Sequence, residues 1–113
     1  MLVDRIDRKR SIGNARKLLK SYKTIKKLAT VNTNHPLHEQ AKRDLECILN
    51  TMEQLADLHA TIINMCYLDS NPKANEYIAD YIGYGKTRYH FYKEEALLEF
   101  AESYNSQELL AFR

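Results

Sequence analysis

The sequence contains few residues that interrupt helices, with only three glycines and two prolines among its 113 residues. Because glycine and proline punctuate secondary structure, their scarcity favours long helices over a succession of short elements. A chain of this length has room for one domain, residues 1–113. We therefore expect an all-α fold, built as a small helical bundle.

Cysteine and long apolar runs are also scarce. Cys47 and Cys66 both lie in segments of periodic apolar residues, so we expect reduced core thiols and no disulfide framework. No apolar stretch approaches the roughly 20 residues that cross a bilayer. Six of the first ten residues are charged, and this segment lacks the apolar core of a secretory signal. These absences predict a soluble, cytoplasmic protein with no membrane partner.

The charge is divided unevenly along the chain, although its net value is only +2. Residues 1–31 carry ten basic and two acidic side chains, a net charge of +8, and the remainder carries seven basic and thirteen acidic side chains, a net charge of −6. A basic segment on an acidic domain is typical of proteins that contact a polyanion. Nucleic acid is the leading candidate, and the alternative is a solvated lysine face that serves only solubility.

Apolar residues recur at helical spacing through residues 14–30, and basic residues fill the other faces. The pattern predicts an amphipathic helix, so that residues 1–30 form a basic N-terminal arm and helix. A polar loop is expected over residues 30–35. Phosphate contacts are expected from six basic side chains of this region: Arg10, Arg16, Lys17, Lys20, Lys23 and Lys27.

The central region, residues 36–68, keeps its apolar spacing without interruption, so one long helix and a helix pair both fit the pattern. Pro36 suits the first turn of a new helix, where its missing N–H would have no partner in any case. Asp57 offers a cap for a second helix. A single helix of this length would outrun so small a domain, which favours the break. This region also offers a surface for a homodimer, which the pattern leaves open.

Residues 72–104 show the pattern of a helix-turn-helix. Asn71 is the expected N-cap of a short helix that starts at Pro72. Gly83 stands where a left-handed residue ends a helix, and a longer helix is expected to start at Lys86. The expected architecture is thus a small helical bundle with a C-terminal helix-turn-helix, and the alternative is a plain helical hairpin with a mixed surface.

The second helix of a helix-turn-helix enters the major groove with its first turns. If Tyr89 faces inward, the neighbouring side chains face outward and can reach base edges or thymine methyl groups. Base contacts are expected from Lys86, Thr87, Arg88, His90 and Phe91. The later turns are acidic, with Glu94, Glu95, Glu99 and Glu102. Phosphates would repel these carboxylates, so much of the phosphate binding is expected to come from the basic N-terminal helix.

No constellation typical of a catalytic, metal or nucleotide site is recognisable in the sequence. We expect no enzyme activity and no cofactor. A competing function is a protein-interaction module that contacts RNA polymerase or another regulator and binds DNA weakly or not at all. Its motivation is the acidic later part of the last long helix, together with two apolar residues, Phe91 and Leu98, that the helical spacing turns outward.

Two stretches, NARKLLKSYKTIKKLA (residues 14–29) and YIADYIGYGKTRYHFYKEEALLEFAESY (residues 77–104), resemble the ArpU family of phage late-transcription regulators. The tail QELLAF (residues 107–112), part of an expected C-terminal turn at 105–113, continues the match. The resemblance implies a helix-turn-helix similar to that of sigma-factor region 4. It also implies a DNA-binding activator at a prophage late promoter, which switches on packaging or lysis genes in the cytoplasm of a bacterial host.

Three positions depart from what this resemblance implies. Gly85 stands where the family often has a capping serine, and Arg88 stands where it often has a threonine. Glu94 replaces what is commonly a basic residue. Glycine is a tolerable N-cap, so the first change should cost only a few tenths of a kcal/mol. The glutamate bears more directly on the strength and specificity of DNA binding.

Overall fold

The computed structural model describes residues 2–31 and 34–113. Apart from one isolated bridge between Ile6 and Phe112, every regular element in this described part is helical. The six α-helices are α1 (Arg8–Lys20), α2 (Tyr22–Thr30), α3 (His38–Gln54), α4 (Asp57–Ile63), α5 (Asn75–Ile82) and α6 (Lys86–Ser103). A π-helical turn, Asn64–Leu68, extends α4. Short 3-10 turns lie near the two ends of the chain, at Leu2–Arg5 and Asn105–Gln107. The expected all-α helical bundle is confirmed.

The basic N-terminal segment forms two helices, not the single helix predicted over residues 14–30. α1 begins already at Arg8, because the Asp7 side chain caps it by accepting a hydrogen bond from the Arg10 backbone N–H at 3.1 Å. Ser21 separates α1 from α2 with φ −88° and ψ 1°. Its hydroxyl donates to a carbonyl of the preceding turn at 3.2 Å, a bond that bends helices. The basic side chains are therefore spread over two helices.

The loop that the sequence predicts over residues 30–35 lies in the connection between α2 and α3, except for Thr30, which is the last residue of α2. Residues 32–33 of this loop lie outside the described part of the chain. Pro36 lies in a turn, and α3 begins at His38, so the proline precedes the helix instead of opening it. The His38 N–H donates to the His35 carbonyl at 3.0 Å, which closes this turn.

The central region, residues 36–68, contains two helices, so the break that the domain size favours is confirmed. α3 ends at Gln54, and Asp57 is the first residue of α4, while Ala56 occupies the cap position that the sequence assigns to Asp57. Alanine has no polar side chain to act as a cap. The Ala56 N–H instead donates to the Glu99 carboxylate of α6 at 3.0 Å. A carboxylate from a distant helix therefore satisfies this N–H, which a local sequence pattern cannot show.

The first helix of the predicted helix-turn-helix starts later in the chain than expected. α5 begins at Asn75, with the exposed Ala74 at its N-cap position. The prediction of Asn71 as cap and Pro72 as first helical residue is therefore wrong. The Lys73 N–H donates to a carbonyl of the π-helical turn at 2.9 Å. This hydrogen bond ties the residues after α4 to the end of that helix, so the next helix begins only beyond them.

α6 is shared by the two apolar clusters of the core. The larger cluster lies between α1, α3 and α6 and includes Leu19, Ile48 and Phe100, each at most 1% exposed. The smaller cluster packs α4 and α5 against the start of α6 and includes Ile78 and Tyr89. The first turns of α6 are thus held by one cluster and its later turns by the other. None of the helices in the described part of the chain has the length and hydrophobicity that a bilayer span requires.

Both cysteines are free and half-buried, in agreement with the expectation of reduced thiols packed on the core. Cys47 packs against the larger cluster and Cys66 against the smaller one. Burial raises the pKa of the Cys47 thiol, and the nearby carboxylates of Glu108 and Asp44 act in the same direction. Cys47 therefore stays protonated and behaves as a small apolar side chain.

The C-terminal tail closes against the start of the chain. The three residues of Asn105–Gln107 have φ values of 31°, 57° and 64°, so the turn after α6 is left-handed although it contains no glycine. The tail then pairs with the N-terminal segment, where the Asp7 N–H donates to the Ala111 carbonyl at 2.7 Å. Residues 105–113, predicted as an apolar turn, thus combine a turn with an extended segment that joins the two ends of the chain.

Ser11 joins these two ends inside the protein, and its contribution to stability is testable. Its side chain is 0% exposed, and its Oγ accepts a hydrogen bond from the Ala111 N–H at 2.8 Å. We expect Ser11→Ala to lower the free energy of unfolding by about 1–3 kcal/mol, because it leaves that buried N–H without an acceptor. Chemical denaturation measures the loss, with the exposed Ser70→Ala as control. An equally small effect in both variants would contradict the role of Ser11.

Candidate nucleic-acid interface

The turn between α5 and α6 has the geometry that the sequence predicts. Gly83 ends α5 in the left-handed region at φ 83°, and its N–H donates to the Ala79 carbonyl at 3.0 Å. Gly85 is the N-cap of α6 at φ −71° and ψ 167°, and α6 begins at Lys86. A three-residue turn therefore joins a short helix to a longer one, as the predicted helix-turn-helix requires.

Tyr89 holds the start of α6 against α5. It is 1% exposed in the smaller apolar cluster, and its hydroxyl donates to the Asn75 Oδ1 atom at 2.8 Å. The Lys93 ammonium donates to the same oxygen at 3.0 Å. Burial raises the pKa of Tyr89 above its ordinary value, so the hydroxyl stays protonated and remains a donor. Tyr89 thus faces inward as predicted, and it fixes the first turns of α6.

The structure leaves all five predicted base contacts exposed on the first turns of α6: Lys86, Thr87, Arg88, His90 and Phe91. These side chains do not share one face. The step of roughly 100° per residue in an α-helix puts Thr87, Arg88 and Phe91 on one outward stripe. Phe91, in the middle of that stripe, is 56% exposed. These three side chains therefore form one solvent-exposed stripe at the start of α6.

Lys86 and His90 lie to one side of this stripe, along a cleft of about 360 Å³ between α5 and α6. Glu76 and Asp80 of α5 line the same cleft. These two carboxylates reduce the positive potential that this side of α6 offers to a phosphate backbone. The outward stripe is therefore the stronger candidate for base contacts.

Arg88 packs on an aromatic pair, Tyr84 and Tyr92, that the sequence pattern does not predict. Its guanidinium lies over the Tyr84 ring, 5.9 Å from the ring centroid. The Tyr84 ring in turn packs on Tyr92, with 4.9 Å between the ring centroids. A cation–π contact of this kind restrains a long and otherwise mobile side chain. Tyr84 belongs to the turn, where the sequence pattern marks only the two glycines.

Two of the four carboxylates of α6 make contacts within the fold. Glu95 forms an ion pair with Arg8 of α1. Glu99 accepts a hydrogen bond from the His59 Nδ1–H at 2.8 Å, in addition to the cap contact with α4. The fold therefore compensates part of the charge of these two carboxylates, which the sequence pattern does not show. The exposed carboxylates of α6 are the remaining two, Glu94 and Glu102.

Leu98 is half-buried and packs against the larger apolar cluster, so its predicted outward orientation is wrong. The reason is that α1 and α4 both pack along α6. A helical wheel centred on Tyr89 shows only one inward direction and therefore underestimates the buried arc. Of the two apolar residues that motivated a protein contact, Phe91 alone is exposed.

Five of the six predicted phosphate contacts are exposed on α1 and α2: Arg10, Lys17, Lys20, Lys23 and Lys27. Among the described residues, none of these five takes part in an ion pair. The exposed Lys26 adds a further positive charge to α2. Uncompensated cations at this density repel one another and attract a polyanion.

Arg16, the sixth predicted phosphate contact, is half-buried and lies beside the Tyr67 hydroxyl. Burial raises the pKa of Tyr67 to about 12, and the Arg16 guanidinium acts in the opposite direction because it favours the phenolate. The Lys93 ammonium lies over the Tyr67 ring, 5.6 Å from its centroid. Tyr67 therefore connects the basic helix α1 to α6. The helical wheel places Lys93 on the inward side of α6, but it does not identify Tyr67 as the partner.

The lysines of α1 and α2 line two neighbouring grooves against the segment that follows α4. Lys20 and Lys23 border a groove of about 330 Å³ that Tyr67 and Pro72 close on the other side. A second groove of about 280 Å³ continues along α2, between its lysines and residues 68–70. Lys23 borders both grooves. We call the combined surface, which carries Lys20, Lys23, Lys26 and Lys27, the basic groove.

Within the described residues, no three histidine, cysteine or carboxylate side chains lie close enough together to hold a metal ion. No protein-family model, curated protein or solved structure matches this chain.

The left-handed turn gives a first test of this arrangement. Gly83→Ala places a Cβ at φ 83°, which should cost about 1–2 kcal/mol of stability. Gly13→Ala is the matched control, because it adds the same methyl group to α1 with nothing within 4 Å. That change should stabilise the protein by about 0.5–1 kcal/mol. Thermal unfolding compares the variants, and equal shifts of the melting temperature would speak against strain at Gly83.

The role of Glu99 is testable against a second carboxylate of the same helix. We expect Glu99→Ala to lower the free energy of unfolding by about 1–2 kcal/mol, because Ala56 and His59 lose a charged acceptor. Glu102→Ala removes an exposed carboxylate and should change stability by less than about 0.5 kcal/mol. Urea denaturation measures both. If the two variants unfold alike, Glu99 is a surface carboxylate that contributes nothing to the packing of α4 on α6.

Proposed function

We propose that the protein is a DNA-binding transcription regulator. The observation that carries the proposal is the exposed start of α6. It directly follows the three-residue turn after α5, and the buried Tyr89 holds it against α5. The unpaired lysines of the basic groove support it, because they offer a place for phosphates. The resemblance to the ArpU family supports a target, a prophage late promoter at which the protein activates packaging or lysis genes.

In the proposed complex, the first turns of α6 enter the major groove. Arg88 donates to the O6 and N7 atoms of a guanine, the commonest specific base contact. Its stacking on Tyr84 restrains the free side chain, so less conformational entropy is lost on binding. Phe91 and the methyl group of Thr87 can meet thymine methyl groups. Base reading therefore falls to the outward stripe of α6.

The acidic later turns of α6 limit how far the helix enters the groove. Glu95 and Glu99 make contacts within the fold, and their charge is partly compensated there. Glu94 is exposed and follows the base-contacting turns directly, so a phosphate that approached it would be repelled. α6 therefore meets DNA with its N-terminal end alone.

Phosphate binding falls to α1 and α2 in this proposal. The basic groove offers ammonium groups to one strand, and each phosphate that it neutralises releases condensed counterions. Arg16 and Lys93 meet at Tyr67, so the basic helices and α6 are held in one fixed relation. Bases and phosphates can then be contacted without a rearrangement of the fold.

A salt titration of DNA binding tests this function. If about six to eight phosphates are contacted, the logarithm of the association constant should fall against the logarithm of salt concentration with a slope of roughly −5 to −7. Fluorescence anisotropy measures binding to a duplex from a phage late-promoter region and to a duplex of random sequence. No binding to either duplex at low salt would exclude the proposal.

Substitutions separate base contacts from phosphate contacts. Arg88→Ala should weaken binding to the specific duplex by about 1–3 kcal/mol and binding to random DNA far less. Lys20→Ala and Lys23→Ala should weaken both about equally, each with a salt slope smaller by about 1. Arg43→Ala on α3, exposed and outside the basic groove, is the control. Equal losses on both duplexes for Arg88→Ala would assign this side chain to a phosphate.

A second candidate function is contact with another protein, such as RNA polymerase. Three exposed aromatic side chains favour it: Phe91, Tyr77 and Tyr81 are 56%, 54% and 67% exposed. Aromatic residues are enriched at the centres of protein interfaces. Purified polymerase that binds the DNA-free protein, and fails to bind its Phe91→Ser variant, would favour this function. If polymerase binds both the wild-type protein and the Phe91→Ser variant, or binds neither, Phe91 has no such role.

A further inference from the structure

A row of basic side chains without a counter-charge runs along one end of the basic groove. Arg16 and Lys20 lie one turn apart on the same side of α1, and Lys20 and Lys23 border the part of the groove that measures about 330 Å³. Like charges at this spacing repel each other. Among the described residues, none of these three cations takes part in an ion pair. The row therefore lacks the anion that would offset its repulsion.

Tyr67 forms the opposite wall of this part of the groove, and further charges lie around it. Its hydroxyl lies beside the Arg16 guanidinium. The Lys93 ammonium lies over its ring, 5.6 Å from the centroid, and also donates to the Asn75 Oδ1 atom at 3.0 Å. Cationic groups from two helices therefore converge on one half-buried tyrosine.

The π-helical turn, Asn64–Leu68, holds Tyr67 in this position. The Asp69 N–H donates to the Asn64 carbonyl at 2.8 Å, and the Lys73 N–H donates to another carbonyl of the same turn at 2.9 Å. π-Helical turns are rare and frequently occur at functional sites. Backbone hydrogen bonds therefore support the wall of the groove that faces the lysines.

The two parts of the basic groove differ in the charges that line them. Asp69 lines the part that continues along α2, and its carboxylate opposes the binding of an anion there. Within the described part of the chain, no carboxylate lines the other part, which Lys20, Lys23, Tyr67 and Pro72 border. We call this other part the Tyr67 pocket. It is the part of the groove that attracts an anion more strongly.

We propose that the Tyr67 pocket is a binding site for one phosphate group. Lys20 and Lys23 donate to the phosphate oxygens from one side. The Arg16 guanidinium, one turn along α1, adds donors in a planar fork that matches phosphate geometry. Lys93, on the face of the Tyr67 ring, adds positive potential. One phosphate thus supplies the counter-charge that these four cations lack.

Where the phosphate belongs to DNA, the inference rests on the proposed function and gives the complex one fixed backbone contact. Lys93 lies seven residues after Lys86, so the pocket is roughly 10 Å along α6 from the start of that helix. A phosphate held there sets the register of α6 on the duplex, because phosphate contacts position a protein without reading its sequence. A free phosphorylated molecule presents the same oxygens, and the experiment separates the two sources.

Inorganic pyrophosphate is the probe for the DNA-free protein. Its addition at constant ionic strength should shift the amide NMR signals around Tyr67 and should reach saturation. Lys20→Gln should weaken pyrophosphate binding about tenfold, because it removes a charge-assisted hydrogen bond. Lys9→Gln is the matched control, since Lys9 is exposed on α1 and does not line the groove, and it should leave the affinity unchanged.

Lys26→Gln tests whether the phosphate is held at one place. Lys26 borders the part of the groove that Asp69 lines, so its loss should weaken pyrophosphate binding by less than about twofold, as expected for a screened charge at a distance. Shifts that do not saturate would overturn the site. So would equal losses in Lys20→Gln and Lys26→Gln, because a diffuse positive potential would then explain the binding.

A DNA duplex identifies the source of the phosphate. A duplex that binds should displace pyrophosphate from the Tyr67 pocket, and a duplex that binds without displacing it assigns the pocket to a free phosphorylated molecule. If pyrophosphate binds and no duplex does, the phosphate site stands and the DNA-binding function fails. If a duplex binds with the expected salt slope and pyrophosphate does not bind, the DNA-binding function stands and the phosphate site is overturned.

Discussion

The simultaneous burial of α6 in two apolar clusters is the constraint on which the rest of the structure depends. Tyr89 anchors its start against α5, and Phe100 anchors its later turns against α1 and α3. The same helix offers its outer side to solvent at the first turns. Because both anchors are almost fully buried, the exposed stripe cannot rotate without loss of packing on two sides. The buried anchors of α6 therefore determine which side of the helix exposes Arg88.

This double burial also determines where the charges lie. α1 packs along α6, and this brings Arg8 to Glu95 and Arg16 to the ring that Lys93 covers. The contacts within the fold therefore use the basic residues next to α6, and they leave the lysines of α2 free. A chain whose sequence shows a basic beginning and an acidic remainder becomes a molecule with a basic groove beside a nearly neutral bundle. Long-range attraction of a polyanion is directed toward that groove.

Local chemistry was enough to predict the parts of the fold that depend on neighbouring residues. Gly83 and the start of α6 at Lys86 follow from a left-handed helix end and a short turn. The inward side of α6 follows from apolar spacing, except at Leu98. For the same reason the exposure of the five proposed base contacts could be predicted, because helical spacing relative to one inward tyrosine decides it.

The features that the sequence pattern missed depend on contacts that the fold makes, some of them between residues far apart in the sequence. The acceptor for the Ala56 N–H before α4 is Glu99, more than forty positions along the chain, and the start of α5 depends on a hydrogen bond back to the π-helical turn. The aromatic support of Arg88 and the meeting of Arg16 with Lys93 at Tyr67 likewise require the fold. Sequence therefore indicates which side chains are exposed, and tertiary contacts decide which carboxylates and cations remain available.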